Sequence, residues 1–176
     1  MIQDYDIKAL EVACPNLEAV DFSGVKEMND ALIKQLLYLC KAIHSLTVLR
    51  NPRISDETLM NLRFYEKKLR LLRLGGTEWE FNSLISIEGL ECVQTCLKQV
   101  QVLEFDFCSR VGDESITIIT DITLPLLKKL SISRNFNTKS AKITDKSMKE
   151  LHLCPNLEQI SIVYNRHFCD IANHLA

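Results

Sequence analysis

The chain contains little glycine and proline, no long apolar run and no excess charge of either sign. Its 176 residues include 5 Gly and 4 Pro, which leaves little room for low-complexity linkers. No run of about 18 apolar residues is present, so we expect no membrane-spanning helix. The N-terminus also lacks the features of a signal peptide. With 21 Lys and Arg against 23 Asp and Glu, we expect neither nucleic acid nor a membrane as a partner.

The cysteine content is the next constraint. The chain has seven Cys, an odd number that excludes complete disulfide pairing within one chain. Without a signal peptide, we expect a reduced intracellular protein, located in the cytoplasm or alternatively in the nucleus. Since 47% of the residues are hydrophobic and 25% are charged, the composition is that of an ordinary folded protein.

A repeated pattern of apolar residues runs along the chain. Six copies of the spacing L-x-x-L-x-L begin near residues 17, 43, 69, 100, 127 and 157. The intervals between these starts are 26, 26, 31, 27 and 30 residues, which is typical of a protein built from stacked structural repeats. Apolar residues on alternate positions of each copy indicate a short β-strand with one buried face.

A second set of residues recurs in phase after each strand pattern. Five residues past the second apolar position stand Asn51, Cys108, Asn135 and Asn165. A side chain of this kind can satisfy backbone groups inside the turn that follows a strand. An acidic residue then follows at Asp30, Asp56, Asp113 and Asp170, and an insertion displaces the equivalent Asp145. We predict that this Asp is the N-cap of a helix, so each unit is a strand, a turn and a helix.

The complete pattern resembles the cysteine-containing leucine-rich repeat. It is carried most plainly by Leu127, Leu130, Ile132, Asn135, Ile143, Asp145, Met148, Leu151, Cys154, Pro155 and Leu157. The resemblance implies an α/β solenoid with a curved parallel sheet, one strand per repeat and helices on the convex side. It covers nearly all of residues 1–176, which we expect to form a single leucine-rich-repeat domain. This repeat class is similar to that of the F-box/LRR substrate receptors of ubiquitin ligases, and it also occurs in other intracellular scaffolds.

Both ends of the sequence break within a repeat unit. Residues 4–10 fit the helical half of a repeat, and 168–176 begin another helix. Solenoids need capping repeats that shield their terminal apolar faces, and neither end shows one. We therefore expect the chain to be part of a longer solenoid; the alternative is a homo-oligomer in which uncapped ends pair. An F-box would precede the repeats, and only about a dozen residues precede the first strand here.

Most cysteines recur in phase with the repeat, which favours a role as small buried hydrophobic residues. These are Cys14, Cys40, Cys96, Cys108 and Cys154. The alternative is a zinc site formed by Cys92, Cys96 and the pairs His152/Cys154 and His167/Cys169, but the paired short spacings of structural zinc are missing. We expect no metal, no cofactor and no catalytic residues, since no nucleophile–base signature is present. A Cys/His metal protein or an enzyme remains the alternative of a different class.

The strand side chains that flank the buried positions are expected on the concave face, where solenoids usually bind partners. The predicted partner-binding residues are Leu49, Leu71, Arg73, Val102, Glu104, Asp106 and Lys129. We expect the three apolar ones to be exposed on adjacent strands, with a charged rim that is typical of a protein interface. In the alternative interpretation, neighbouring side chains or another domain cover them. Glu104 and Asp106 are expected to form a solvated acidic spot.

Two repeats depart from the pattern. In the third, Glu80 stands where an apolar residue is expected, and we predict that Trp79 and Phe81 fill the resulting gap in the core. The alternative is that they are exposed loop anchors for a partner. The fifth repeat contains the insertion 136–142, which we expect to form a surface loop. Basic residues cluster near it, but stacking aromatic residues that would favour nucleic acid are lacking.

The sequence thus indicates a non-catalytic protein–protein interaction module that binds a protein partner on its concave strand face. The resemblance to F-box/LRR receptors implies a substrate-recognition arm of a ubiquitin ligase. The alternative is a free-standing LRR scaffold or regulator without a link to a ligase.

Overall fold

The computed structural model of the protein describes residues 4–63, 69–92, 97–121, 126–133 and 143–162. Within these ranges, six strands alternate with six helices. The strands are β1 (Ala19–Asp21), β2 (Ser45–Val48), β3 (Leu71–Gly75), β4 (Val102–Asp106), β5 (Lys129–Ser133) and β6 (Gln159–Ser161). The helices are α1 (Asp4–Ala13), α2 (Asp30–Leu39), α3 (Asp56–Leu62), α4 (Ile87–Cys92), α5 (Asp113–Asp121) and α6 (Asp145–Leu151). A short 3₁₀ turn, Leu97–Gln99, precedes β4.

The strands form one parallel sheet in which their order follows the order of the chain. Each strand pairs with the strand of the next repeat, and each helix packs against the next helix. This arrangement confirms the predicted α/β solenoid of the leucine-rich-repeat type. Parallel neighbours need a crossover connection, and here an α-helix lies between each strand and the next.

The core consists of columns of apolar side chains that repeat from strand to strand. One column is formed by Leu46, Leu72, Leu103 and Leu130, all fully buried. Because a buried leucine contributes about 2 kcal/mol relative to an exposed one, each repeat is stabilised mainly by stacking on its neighbours. At the last described strand the burial weakens, since Ile160 is 45% exposed on β6.

Buried amide side chains connect successive turns. The Nδ2 of Asn51 donates to the carbonyl oxygens of Met28 at 2.8 Å and Val25 at 3.2 Å, in the preceding repeat. Its Oδ1 accepts from the backbone N–H of Arg53 at 2.9 Å. The predicted role of Asn51 in satisfying backbone groups is thereby confirmed. In the third repeat the same role belongs to Asn82, whose Nδ2 donates to the carbonyl oxygen of Ile54 at 2.6 Å.

The recurring Asp has a different role from the predicted one. The N-caps of α2, α3 and α6 are Asn29, Ser55 and Thr144, and the Asp is the first residue of each helix. The carboxylate of Asp30 instead accepts from the N–H of Ser55 at 3.0 Å and from its hydroxyl at 2.7 Å. Asp56 binds the equivalent serine of the third repeat in the same way, and Asp113 binds Thr144. The Asp therefore connects one repeat to the next.

The chain ends agree with the sequence where they are described. Residues 4–13 form α1, as the helical pattern predicted, and Ile7 on its inner face is fully buried. The insertion 136–142 and the segment 163–176, with the predicted helix start at Asp170, lie outside the described residues. No helix in the described ranges is both long and apolar enough to cross a bilayer.

The cysteines follow the repeat phase with one exception. Cys40, Cys108 and Cys154 are buried free thiols, as predicted. Burial raises the pKa of each of these three thiols. The prediction is wrong for Cys14, which is exposed in the turn before β1. Cys96 lies outside the described residues.

We predict that Asn51→Ala lowers the free energy of unfolding by about 2 kcal/mol, because it deprives one buried and two partly buried backbone groups of their partner. Equilibrium urea denaturation measures this change. The matched control is Asn16→Ala, since Asn16 is exposed in a turn, and it should change stability by less than about 0.5 kcal/mol. Equal effects of the two substitutions would contradict the role assigned to the buried amide.

We also predict a large difference in thiol reactivity. In the native protein, iodoacetamide should modify Cys14 well before Cys40, Cys108 and Cys154, because the thiolate is the reacting form and burial suppresses both its formation and its contact with the reagent. Peptide mapping by mass spectrometry after short pulses gives the rate at each position. All four should react alike in denaturant; similar rates in the native state would show that the buried thiols are accessible.

Candidate functional site

The pairing register arranges the concave side chains in rows across the sheet, as the repeat spacing predicted. The first row runs through Ala19, Ser45, Leu71, Val102, Lys129 and Gln159. The second row runs through Asp21, Thr47, Arg73, Glu104, Ser131 and Ser161. The third includes Gly75, Asp106 and Ser133. Neighbouring members of a row are close enough to form one surface.

The first row carries an apolar pair. Leu71 and Val102 are direct partners on β3 and β4, and Lys129 is the next residue in the row, on β5. The predicted exposure of Leu71 and Val102 is only partial, since both are half-buried, as is Lys129. Neighbouring side chains on the sheet cover part of each of them. The row therefore presents a small apolar area, Leu71 and Val102, next to the cationic side chain of Lys129.

The second row carries an ion pair at the middle of the sheet. Arg73 Nε lies 3.2 Å from Glu104 Oε2, and the two side chains are 34% and 16% exposed. Glu104 is therefore not part of a solvated acidic spot. The flanking Thr47 and Ser131 are buried, although solvent exposure was predicted for this row, because the longer charged side chains beside them cover the small ones.

The third row is separated from the apolar pair. Leu49 follows the end of β2, is half-buried, and lies four residues from the first row, a distance of about 13 Å along a strand. The ion pair of Arg73 and Glu104 lies between these rows. The prediction of a single apolar centre with a charged rim is therefore wrong: the face has two apolar areas with a charged strip between them.

The third repeat contains an inserted loop of five residues, 77–81. Trp79 on this loop is 88% exposed, so the prediction that it fills the core is wrong, and it is positioned as the alternative loop anchor. Ile85 fills the core position that Glu80 cannot occupy, and it is fully buried. The loop leaves the solenoid at the carboxyl end of β3 and returns at Asn82, which continues the normal turn.

Specific bonds hold the inserted loop in place. The backbone N–H of Thr77 donates to the carbonyl of Glu80 at 2.8 Å, and the N–H of Glu80 donates to the Thr77 hydroxyl at 2.9 Å. The half-buried ring of Phe81 packs at 60° against that of Phe107, with 5.8 Å between centroids. Tilted pairs of this kind are favourable beyond their buried area. Phe81 therefore anchors the loop and leaves Trp79 exposed.

Two glycines allow the loop to cross the sheet edge. A methyl group on Gly75 would lie 2.1 Å from the carbonyl oxygen of Asp106, and one on Gly76 would lie 2.4 Å from the amide nitrogen of Asn82. Both contacts are with backbone and are too short for any side chain. Gly75 is the last residue of β3 and does not belong to a turn. Its lack of a side chain brings the third and fourth repeats close together.

A cavity of about 590 Å³ opens on the concave face between the loop and the ends of β1 to β4. It is lined by Asp21, Ser23, Leu49, Arg50, Gly76, Thr77, Glu78, Trp79, Asp106 and Phe107. Two of these residues, Arg50 and Phe107, have left-handed backbone conformations with φ of 56° and 53°. Because this conformation is unfavourable for bulky residues, we infer that the tight turns after β2 and β4 impose it.

The charges around the cavity are mixed. Hydrogen bonds from the Ser23 hydroxyl and amide hold the pKa of Asp21 below its usual value, and the charges of Arg73 and Arg50 add to this effect. Asp21 is therefore ionised at neutral pH. Towards β6, the second and third rows carry neutral serines: Ser133 Oγ lies 3.1 Å from Ser131 Oγ and 3.2 Å from Ser161 Oγ.

Sequence reasoning placed Leu49, Asp106 and Trp79 in the candidate site, and the structure brings these three together at the cavity. The predicted partner-binding set did not include the other lining residues, which are Asp21, Ser23, Arg50, Gly76, Thr77, Glu78 and Phe107. A signal for the inserted loop is nevertheless present. The spacing N-x-x-I links Asn51 to Ile54 and recurs five residues late in the third repeat, where it reveals an insertion.

The described part of the chain contains no candidate for the alternative zinc site. No group of three or more His, Cys, Asp or Glu side chains in these ranges is placed to hold a metal ion. His167 and Cys169, which belong to that alternative, lie outside the described residues.

Comparison with known proteins identifies the fold. No family model matches the sequence. Among solved structures, the protein is similar to a chain in the crystal structure of the Rad7 and Elc1 complex from yeast, with a TM-score of 0.62 and 21% sequence identity. The similarity covers 86% of this chain but only 37% of that chain, so this protein spans little more than a third of the length of its structural neighbour. At this identity the comparison shows a shared fold.

We predict that Phe81→Ala loosens the inserted loop without unfolding the solenoid. Loss of the aromatic pair should speed hydrogen exchange of the amides at residues 77–82 about fivefold, because an aromatic contact contributes roughly 1 kcal/mol. Exchange measured by mass spectrometry checks this. The control is Tyr38→Ala, which removes an aromatic ring that is 71% exposed on α2. Unchanged exchange across the loop in Phe81→Ala would show that other contacts hold it.

Proposed function

We propose that this protein is a non-catalytic protein-interaction module that binds a protein partner on the concave face of its sheet. The observation that carries the proposal is the cavity beside Trp79, where a large aromatic side chain is held in water at the edge of an otherwise ordered surface. Tryptophan is enriched among the few residues that dominate binding energy at protein interfaces. The buried core of the third repeat is complete without it.

The rest of the face fits the same role. Leu71 and Val102 supply apolar contact area, and the ion pair of Arg73 and Glu104 lies beside them in the next row. Partly buried charges next to an apolar strip fix the orientation of a partner more than they add to its affinity. Lys129 extends the face towards β5. We therefore propose Leu49, Asp106 and Trp79 as the centre of the interface and these five residues as its extension.

A finer proposal concerns the biological setting. The resemblance to the repeats of F-box/LRR receptors supports a substrate-recognition arm of a ubiquitin ligase, located in the cytoplasm or the nucleus. The structural neighbour comes from a complex of two proteins, which fits a role in assembly. In this proposal the concave face binds the substrate protein, and another part of the assembly recruits the ligase.

The test introduces a photo-crosslinking amino acid at the position of Trp79 and, in a second protein, at Tyr38 on α2. We expect cross-linked protein partners from the position of Trp79 and none of the same partners from the control. In affinity purification, Trp79→Ala should lower the recovery of those partners by at least about tenfold, because an anchor residue contributes 2 kcal/mol or more. Tyr38→Ala should leave their recovery unchanged.

The identity of the recovered proteins separates the two settings. Cullin-ligase components that accompany the cross-linked partner would support the ligase role, and a different stable partner would support a free-standing scaffold. If the same partners cross-link to both positions and survive Trp79→Ala, the concave face is not the interface and the proposal is wrong.

A further inference from the structure

We infer that the cavity beside Trp79 receives a cationic side chain, Lys or Arg, of the partner protein. This inference rests on the proposed function and names the chemistry of the partner at the same site. Three features of the cavity support it: an excess of acidic residues in the lining, an exposed indole ring and apolar lining residues.

The charge of the lining is the first feature. Among the described residues, three acidic ones line the cavity, Asp21, Glu78 and Asp106, and one basic one, Arg50. The difference of three and one leaves two excess negative charges. In the neighbouring row, Arg73 and Glu104 form an ion pair and so add no net charge. A cationic side chain is therefore the complementary occupant.

The position of Arg50 decides where in the cavity its positive charge acts. A methyl group on Gly24 would lie 3.9 Å from Arg50 Nε, so this guanidinium lies against the turn that follows β1. Hydrogen bonds from Ser23 lower the pKa of Asp21 most, and the charges of Arg73 and then Arg50 lower it further. Arg50 thus offsets the charge of Asp21 at one side of the cavity. Glu78 is carried by the inserted loop, next to Trp79, and it adds a negatively charged residue to the lining.

The aromatic and apolar parts of the lining complete the site. The indole of Trp79 is 88% exposed, and tryptophan is the strongest partner for a cation over an aromatic face. Leu49 and Phe107 line the same cavity. Long cationic side chains have aliphatic stems that pack on apolar surface while the charged end contacts carboxylates or an aromatic ring. An acidic side chain would gain none of these contacts and would meet repulsion.

The experiment uses the fluorescence of Trp79, which is the single Trp of the chain. The probe is the tripeptide acetyl-Gly-Arg-Gly-amide, and its matched control contains citrulline, a neutral side chain of nearly the same shape. We expect a saturable change in fluorescence with the Arg peptide, and an apparent Kd at least about fivefold weaker with the citrulline peptide. Added salt should weaken the binding of the Arg peptide and leave the binding of the citrulline peptide unchanged.

Charge variants locate the effect in the cavity. Glu78→Gln should weaken binding of the Arg peptide about threefold, and Arg50→Gln should strengthen it, because the two substitutions change the local charge in opposite directions. Glu57→Gln is the control, since Glu57 is exposed on α3 outside the cavity. It should leave the Kd unchanged.

Equal binding of the Arg and citrulline peptides, or no saturable change with the Arg peptide, would overturn the inference. This result is separate from the test of the proposed function. If Trp79→Ala abolishes recovery of the protein partner while the charge variants leave it unchanged, the concave face is the interface but the cavity takes an uncharged group. If both experiments fail, the interface lies elsewhere.

Discussion

Hydrogen bonding by buried amide side chains between successive turns is the interaction on which the rest of the structure depends. Parallel strands pair through their own backbones, but the turn after each strand leaves carbonyl groups inside the solenoid, where no water can bind them. Asn51 and Asn82 donate to carbonyls of the preceding repeat and fix the offset between turns. Once this offset is fixed, the strand side chains fall into lateral rows. The concave surface is thus a consequence of the buried turns.

The step from the third to the fourth repeat depends on other bonds. Cys108 takes the turn position that Asn holds elsewhere, and a thiol is a weak donor. Ile87 takes the helix-start position of the bridging Asp, so it has no carboxylate to offer to the next repeat. Backbone bonds connect these repeats. The N–H of Asn82 donates to the carbonyl oxygen of Phe107 at 2.8 Å, and the N–H of Ser109 donates to the carbonyl oxygen of Asn82 at 2.9 Å. The inserted loop is built on this step.

The sequence was sufficient to predict features that depend on phase. Alternating apolar residues and a period near 27 residues predicted the strands, the helices and the rows, because steric and burial constraints act on every repeat alike. The role of Asp30 was missed, since a carboxylate at a helix start has the same local preference whether it caps its own helix or binds Ser55 of the next repeat. Trp79 was misplaced because a five-residue insertion shifted Asn82 and Ile85 out of the expected phase. A bond such as that of Asp30 to Ser55 depends on a residue of the next repeat, and the local sequence around Asp30 does not identify that residue.

The inserted loop shows how the third repeat separates stability from binding. Ile85 and Asn82 complete the core and the turn, so residues 77–81 are free of both requirements. A tryptophan in this loop forgoes the roughly 2 kcal/mol or more that burial would give it, and the fold can accept this loss because the repeat is closed without it. Phe81 secures the loop against Phe107, and the rows below are fixed by the sheet. A partner at this cavity therefore meets a surface that is already ordered, and little conformational entropy has to be lost on this side of the interface when it binds.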